Sequence, residues 1–374
     1  MKIIVAPDKY KGSLDSFKLC DAIVEGIQMV DKSFEIIKLP MADGGDGFAK
    51  VLAHFLKTTT VNCHTMDALG KPLQAAYEWS AKKETAIIEL ASASGLAILE
   101  TGNNPMVAST YGTGLLINDA INKGIKKIIL GIGGSATNDG GTGLLSALGY
   151  NFLDISGEII KPCGENLIRI EKIIPPLNPI DTEVIIACDV DNTLLGKNGA
   201  AYTYAAQKGA NAQQIIDLED GMEHFSKVME IFANKIIATI PGSGAAGGTG
   251  AGLLLLPNVT IKRGVDIVIE NSSIKDHLSH ADLVITGEGA FDEQTLNGKV
   301  VYAITMLATA SGVPTIAVCG KIDADYATIR RSGLTYIASI VNGPMTIEYS
   351  KQHAYKLVKE KVGVIMHFMN RKRN

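Results

Sequence analysis

Residues 281–320 read ADLVITGEGAFDEQTLNGKVVYAITMLATASGVPTIAVCG, and their grammar decides the fold. Leu283, Val284 and Ile285 form a short apolar run that ends at a loop containing Gly287 and Gly289. Lys299 to Ala310 then carries helical apolar spacing, and Pro314 to Gly320 returns to a strand. Strand, loop, helix and strand in that order make a parallel βαβ unit. The alternation continues to the chain end: Asp325 to Arg331 reads as a helix, Tyr336 to Val341 as a strand, and Tyr349 to Met369 as one long closing helix.

The beginning of the chain shares this grammar. Ile3, Ile4 and Val5 form a strand ending at Pro7, and Ser13 to Met29 has helical spacing through Phe17, Leu19, Ala22, Ile23 and Ile27. Phe34 to Leu39 is a second strand and Phe48 to Leu56 a second helix. The middle differs: from Thr58 to Leu90 short alternating pieces read as antiparallel strands. Further on come a helix near Leu115 to Asn122, the strand Ile128 to Leu130, a helix from Leu144 to Leu148, the strand EVIIACDV and a polar helical stretch from Asn211 to Ile237. The expectation is α/β with two domains. One is a doubly wound parallel sheet, Rossmann- or flavodoxin-like, built from residues 1–62 and 281–374. The other is a mixed-sheet α/β domain inserted as residues 63–280.

Composition narrows the function classes. The 374 residues are 46% hydrophobic and 20% charged with a formal net charge of -4, which is ordinary globular composition. Lys and Arg are dispersed, so no basic patch suits a nucleic acid; RKRN (371–374) reads as a short, solvated cationic tail. Cys20, Cys63, Cys163, Cys188 and Cys319 are far apart and odd in number, which points to neither a disulfide framework nor a zinc site. No apolar stretch approaches the roughly 18 residues that span a bilayer, and the N-terminus opens directly on a strand. A soluble, cytoplasmic protein without membrane or nucleic-acid partners is expected, with a homo-oligomer left open.

Four glycine-rich segments adjoin strands: MADGGDG (41–47), GIGGSATNDGGTG (131–143), PGSGAAGGTGAG (241–252) and TGEGAFDEQTLNGK (286–299). Together they suggest a cleft in which backbone amides hold phosphate and acids hold a divalent cation. In the second segment Gly133 and Gly134 let the backbone close on an anion, while Ser135, Thr137, Asn138 and Asp139 supply polar groups. Glu288 and Asp292 stand at a strand's carboxyl end as candidate Mg2+ ligands, with Thr295 and Lys299 at the helix start. Lys299 reads equally as a phosphate contact or a surface lysine. Asp43 and Asp46, beside Gly44 and Gly45, read as metal or substrate ligands or as Asx-turn residues. Asp189 ends a strand and is a candidate base or a helix cap, as is Asp191. Asp8, Lys9, Lys11 and Ser13 stand after the first strand, where Lys11 and a helix N-terminus could grip an organic anion.

Several patterns point elsewhere or nowhere. Gly131, Gly133 and Ala136 fit G-x-G-x-x-A, and Gly242, Gly244 and Gly247 fit G-x-G-x-x-G, so a nicotinamide-dependent oxidoreductase is a rival reading. Further glycines interrupt both loops where a Rossmann helix should start. No G-x-x-x-x-G-K-[ST] is present, His277 and His280 lack a third metal ligand, and nothing is arranged as a Ser-His-Asp or Cys-His set. A non-catalytic metabolite-binding protein is a third reading.

Taken in order, APDKYKGSL, MADGGDG, YGTG, GIGGSATNDGGTG, ACDVDNTLLGKNGA, QKGA, PGSGAAGGTGAG and ITGEGAFDEQTLNGK resemble the type I glycerate kinases across nearly the whole chain. That resemblance implies ATP-dependent phosphorylation of D-glycerate, usually at the 2-hydroxyl, by two α/β domains with the active site between them. It implies ATP and Mg2+ as cofactors and closure over the substrate. On this reading Asp189 orients or deprotonates the hydroxyl, Glu288 and Asp292 lie near the metal, Lys11 meets the glycerate carboxylate, and Ser135 with Asn138 meets phosphate. Asp8, Asp43, Gly44, Gly45, Asp46, Gly133, Gly134, Asp139, Gly244, Thr295 and Lys299 complete the expected binding set. The chain departs from the family pattern at Lys9 and Tyr10, at Ala205 and Ala206, and at Ala290, where a basic residue is common.

Overall fold

The computed structural model describes residues 1–100, 102–178 and 180–371; beyond Arg371 the expected cationic tail lies outside them. The chain divides into two compact units, Met1–Val51 with Gly264–Asn374, and Leu52–Arg263.

In the first unit Lys2–Val5, Glu35–Lys38, Leu283–Thr286, Thr315–Cys319 and Tyr336–Ser339 form one sheet in which every pairing is parallel. Numbered along the chain within this unit, the strands lie in the order 2-1-3-4-5, which is flavodoxin-like. Ile3, Ile4, Val5, Leu283 and Val284 show no exposed surface, as central strands covered on both faces require. The strand order reverses between Lys2–Val5 and Leu283–Thr286, which pair from Ile3 with Leu283 to Val5 with Ile285. The carboxyl ends at such a switch point splay apart and leave a crevice. Asp8 and Glu288 follow these two strand ends.

Helix Ser16–Gln28 starts where Asp15 accepts from Lys18 N at 2.8 Å, and it buries Leu19, Ala22, Ile23 and Ile27. The closing helix expected over Tyr349 to Met369 is two helices, Ile347–Gln352 and Ala354–Arg371, separated at His353. Packing explains the break. The first piece buries no residue, whereas the second buries Leu357, Val358, Val362 and Met366 against the core of this unit.

In the second unit six strands run in the order Val259–Lys262, Glu183–Ala187, Lys127–Gly131, Thr85–Glu89, Pro72–Ser80 and Thr59–Met66. The first four are mutually parallel, and the last two add antiparallel pairings, so the sheet is mixed. Thr59–Met66 pairs along its whole length with Pro72–Ser80, and helix Gly264–Asn271 belongs to the first unit. The divisions therefore fall at Val51/Leu52 and Arg263/Gly264, earlier than the expected limits of 62 and 281. Glu89, Gly131, Ala187 and Lys262 stand level in register. The loop after Gly131 and the segment after Ala187 consequently leave one sheet edge from neighbouring strands.

Candidate active site

At the switch point of the first unit, Asp8, Lys9, Lys11, Asp43, Asp46, Glu288 and Lys299 line an open cavity of about 450 Å³ with Gly45, Gly289 and Ala290. Lys9 organises one wall: its Nζ lies 3.1 Å from Asp43 Oδ1 and 3.7 Å from Asp8 Oδ1. Asp43 also accepts from Gly45 N at 3.2 Å, as an Asx-turn residue does, while lining the cavity. Burial, helped by the Asp43 carboxylate, outweighs Lys9 and pushes Asp8 up to about 7. Burial opposes the charge of Lys9, yet the paired Asp8 and Asp43 raise it above the ordinary lysine value.

The opposite wall is set by Thr295. Its buried Oγ1 donates to Glu288 Oε1 at 2.7 Å and accepts from Asp292 N, while Asp292 Oδ1 caps the turn by accepting from Thr295 N. Burial pushes Glu288 up to about 7 against the pull of Thr295 and Lys299. Asp292 stands behind the lining and pairs with Lys299 Nζ at 3.4 Å. Lys11 is exposed at the cavity, and among the described residues no carboxylate pairs with it.

These oxygens suit a hard cation. Mg2+ is commonly held by one or two carboxylates plus substrate phosphates rather than by a protein cage. Among the described residues no group of three or more His, Cys, Asp or Glu forms such a cage. No helix of the described residues is long and apolar enough to cross a membrane.

In the second unit the loop after Gly131 exposes Gly133 and Gly134, and no atom lies within 4 Å of where a Gly133 Cβ would stand. Asp139 is wholly buried and accepts from Thr110 N and Oγ1, both at 2.8 Å, and from Gly141 N and Gly143 N, both at 3.2 Å. Burial raises its carboxyl above the usual range despite these donors. Its geometry makes it the post that shapes the loop. Asn138 is also wholly buried, and Asp189 is exposed beyond its strand end.

Gly244 is buried, and a Cβ there would stand 2.1 Å from Thr193 O. At Gly247, with φ +66°, a Cβ would meet Thr137 O at 2.1 Å. Gly244 thus lets the loop lie against the backbone of Thr193 and Gly247 lets it lie on the loop after Gly131, which gives the pattern a packing reason. The G-x-G-x-x-A loop is not followed by an immediate helix; its helix begins at Thr142. The nicotinamide reading loses both supports.

The model of the glycerate kinase family matches residues 3–370. The chain belongs to the glycerate kinase family. A glycerate kinase of Bacillus cereus is 37% identical over 97% of this chain and 95% of its own length. A glycerate 2-kinase of Escherichia coli is 34% identical over 95% of this chain and 94% of its own length. A solved structure assigned as glycerate kinase 2, from Salmonella typhimurium LT2, superposes with a TM-score of 0.88 at 33% identity, covering all of this chain and 99% of that one. The family and fold expected from the motifs therefore hold.

Within this glycerate kinase family member, the sequence reading gave no role to two lysines. Lys9 holds Asp8 and Asp43 in place, and Lys208 is buried beneath the glycine loop. Lys208 lies in the QKGA motif, which marked the segment but carried no sign of burial.

Proposed function

We propose that this chain transfers the γ-phosphoryl group of ATP to D-glycerate, giving 2-phosphoglycerate and ADP. The observation that carries the reading is the cavity of carboxylates and lysines at the switch point of a flavodoxin-like sheet, in a chain of the glycerate kinase family. Phosphoryl transfer asks a protein for position and charge rather than covalent chemistry. The glycerate hydroxyl oxygen bonds to the γ-phosphorus, the bond to the β,γ-bridging oxygen breaks, and ADP leaves.

Each unit supplies its own groups. In the first, Lys11 meets the glycerate carboxylate, and Asp8, Asp43, Asp46 and Lys299 line the same cavity. Glu288 and Asp292 are the residues that would hold Mg2+; bound there, the ion neutralises phosphate charge. In the second, Gly133, Gly134, Ser135 and Asn138 bind phosphate, and Asp189 orients the hydroxyl and takes its proton. Asp139 and Thr295 act by holding other residues in place, a role their hydrogen bonds to Thr110 and Glu288 support. The 2-hydroxyl assignment rests on likeness to the E. coli glycerate 2-kinase. Five free cysteines and the use of ATP support a cytoplasmic protein.

A coupled assay of ADP formation tests the activity. ADP release that depends on both glycerate and Mg2+-ATP is expected, and NAD(P)H binding without ADP release would favour the oxidoreductase instead.

A further inference from the structure

We infer that Lys208 and Ser135 act as a charge relay beneath the glycine loop, gripping an anionic oxygen of the substrates; the inference rests on the kinase reading above. Lys208 ends the short turn Ala206–Lys208 and is 3% exposed. Its Nζ donates to Ser135 Oγ at 2.8 Å and to Thr137 O at 2.6 Å, and both acceptors are neutral. Asn103 ties the turn to the loop, its Nδ2 donating to Ala136 O at 2.7 Å and Lys208 O at 2.9 Å.

An ammonium group buried without a carboxylate partner is costly to a fold. Asp139 is the charged group that favours the protonated lysine, but its oxygens are engaged by Thr110, Gly141 and Gly143. Burial prevails and brings Lys208 down to about 7. An apolar side chain would serve packing better, so a lysine kept at this buried position calls for a negative ligand that would favour its charged form.

Ser135 shows how that charge reaches the surface. Its oxygen accepts from Lys208, so its own hydroxyl proton is left to donate elsewhere. Ser135 keeps 7% exposure and directly follows the exposed Gly133 and Gly134. An anionic oxygen at this loop would receive the Ser135 proton, strengthened by the cation behind it. The surrounding polar groups also exceed the bonds among them. Asn103 Oδ1, Thr137 Oγ1 and both amide atoms of Asn138 find no hydrogen-bond partner among the described residues.

The oxygen belongs to a nucleotide phosphate or to the glycerate carboxylate, and Lys208→Met in the full chain distinguishes them. The variant is expected to melt no lower than the wild type, yet to lose about ten-fold or more in kcat/KM. A raised KM for ATP identifies phosphate, and a raised KM for glycerate identifies the carboxylate. Ser135→Ala should lose a similar factor, and the double variant should be no worse than the poorer single one, because the two residues act in series. A folded Lys208→Met enzyme within two-fold of wild type would overturn the inference, as would losses that multiply in the double variant. Should Lys208→Met not fold, an unchanged Ser135→Ala enzyme overturns it. Calorimetric binding of ADP and of glycerate to wild type and variant makes the same comparison without turnover. A wild type that binds them but forms no product overturns the kinase reading and leaves the relay to be judged on affinity.

Discussion

Thr295 Oγ1 donates to Glu288 Oε1 at 2.7 Å, so a wholly buried threonine fixes the carboxylate of a cavity-lining glutamate. Glu288 enters the cavity already oriented. If it holds Mg2+, losing that orientation weakens the metal before it weakens the fold. Thr295→Val should reduce apparent Mg2+ affinity by about ten- to hundred-fold. Rates measured across a Mg2+ titration at saturating ATP check this, and an unchanged half-saturation point would remove Glu288 from the metal site.

Lys11 is exposed at the cavity and has no carboxylate partner among the described residues. Its assigned partner is the carboxylate of glycerate. Lys11→Ala should raise the KM for glycerate about ten-fold or more while leaving the KM for ATP near the wild-type value. Steady-state kinetics with each substrate varied in turn gives the answer; equal changes in both KM values would contradict the assignment.

Asp139 gathers four donors from Thr110, Gly141 and Gly143 at one buried carboxyl. Asp139→Ala strands these donors in the interior and should cost about 3 kcal/mol or more of stability. Urea denaturation measures the loss. A ligand-contacting Asp139 would instead show a kinetic defect in a protein of unchanged stability.

Asp8 rises from the ordinary 3.8 to about 7, chiefly through burial. The native protein therefore holds this proton more tightly than the unfolded chain does. The associated stability is whole below about pH 4 and is lost as pH rises through about 7. Glu288 carries a shift of the same sign in both proteins, so the informative quantity is the difference between them. Metal-free Asp8→Asn should gain on the wild type from about pH 4 to pH 8, by several degrees in Tm. Parallel melting curves across that range would show that Asp8 is not held protonated.

The sheet of the first unit was legible because each strand is a short apolar run bounded by glycine or proline, as at Leu283–Thr286 before Gly287. Local pattern reported less elsewhere. Val259–Lys262 is an edge strand with no buried residue, so it lacks the apolar signal. The break at His353 arises from what each helical piece packs against, which its own residues do not encode. Gly244 and Gly247 resemble a dinucleotide fingerprint because close packing on Thr193 and Thr137 demands the same missing Cβ.

The site shows the same division. Asp8, Lys11, Asp43 and Glu288 were readable as polar residues just past strand ends, and three-dimensional structure brings them to one cavity. Thr295 and Asp139 read as ligand contacts from their motifs, and their hydrogen bonds also tie them to Glu288 and Thr110, which the motifs do not report. Lys208 could not be singled out, since nothing beside a lysine in sequence tells that its ammonium will be buried against Ser135.

Phosphorus NMR of the products formed from D-glycerate and Mg2+-ATP reads phosphoryl transfer and its acceptor hydroxyl in one measurement. ADP is expected together with the phosphomonoester resonance of 2-phosphoglycerate, both dependent on glycerate. Unchanged ATP, or inorganic phosphate as the only new phosphorus besides ADP, would contradict phosphoryl transfer to glycerate.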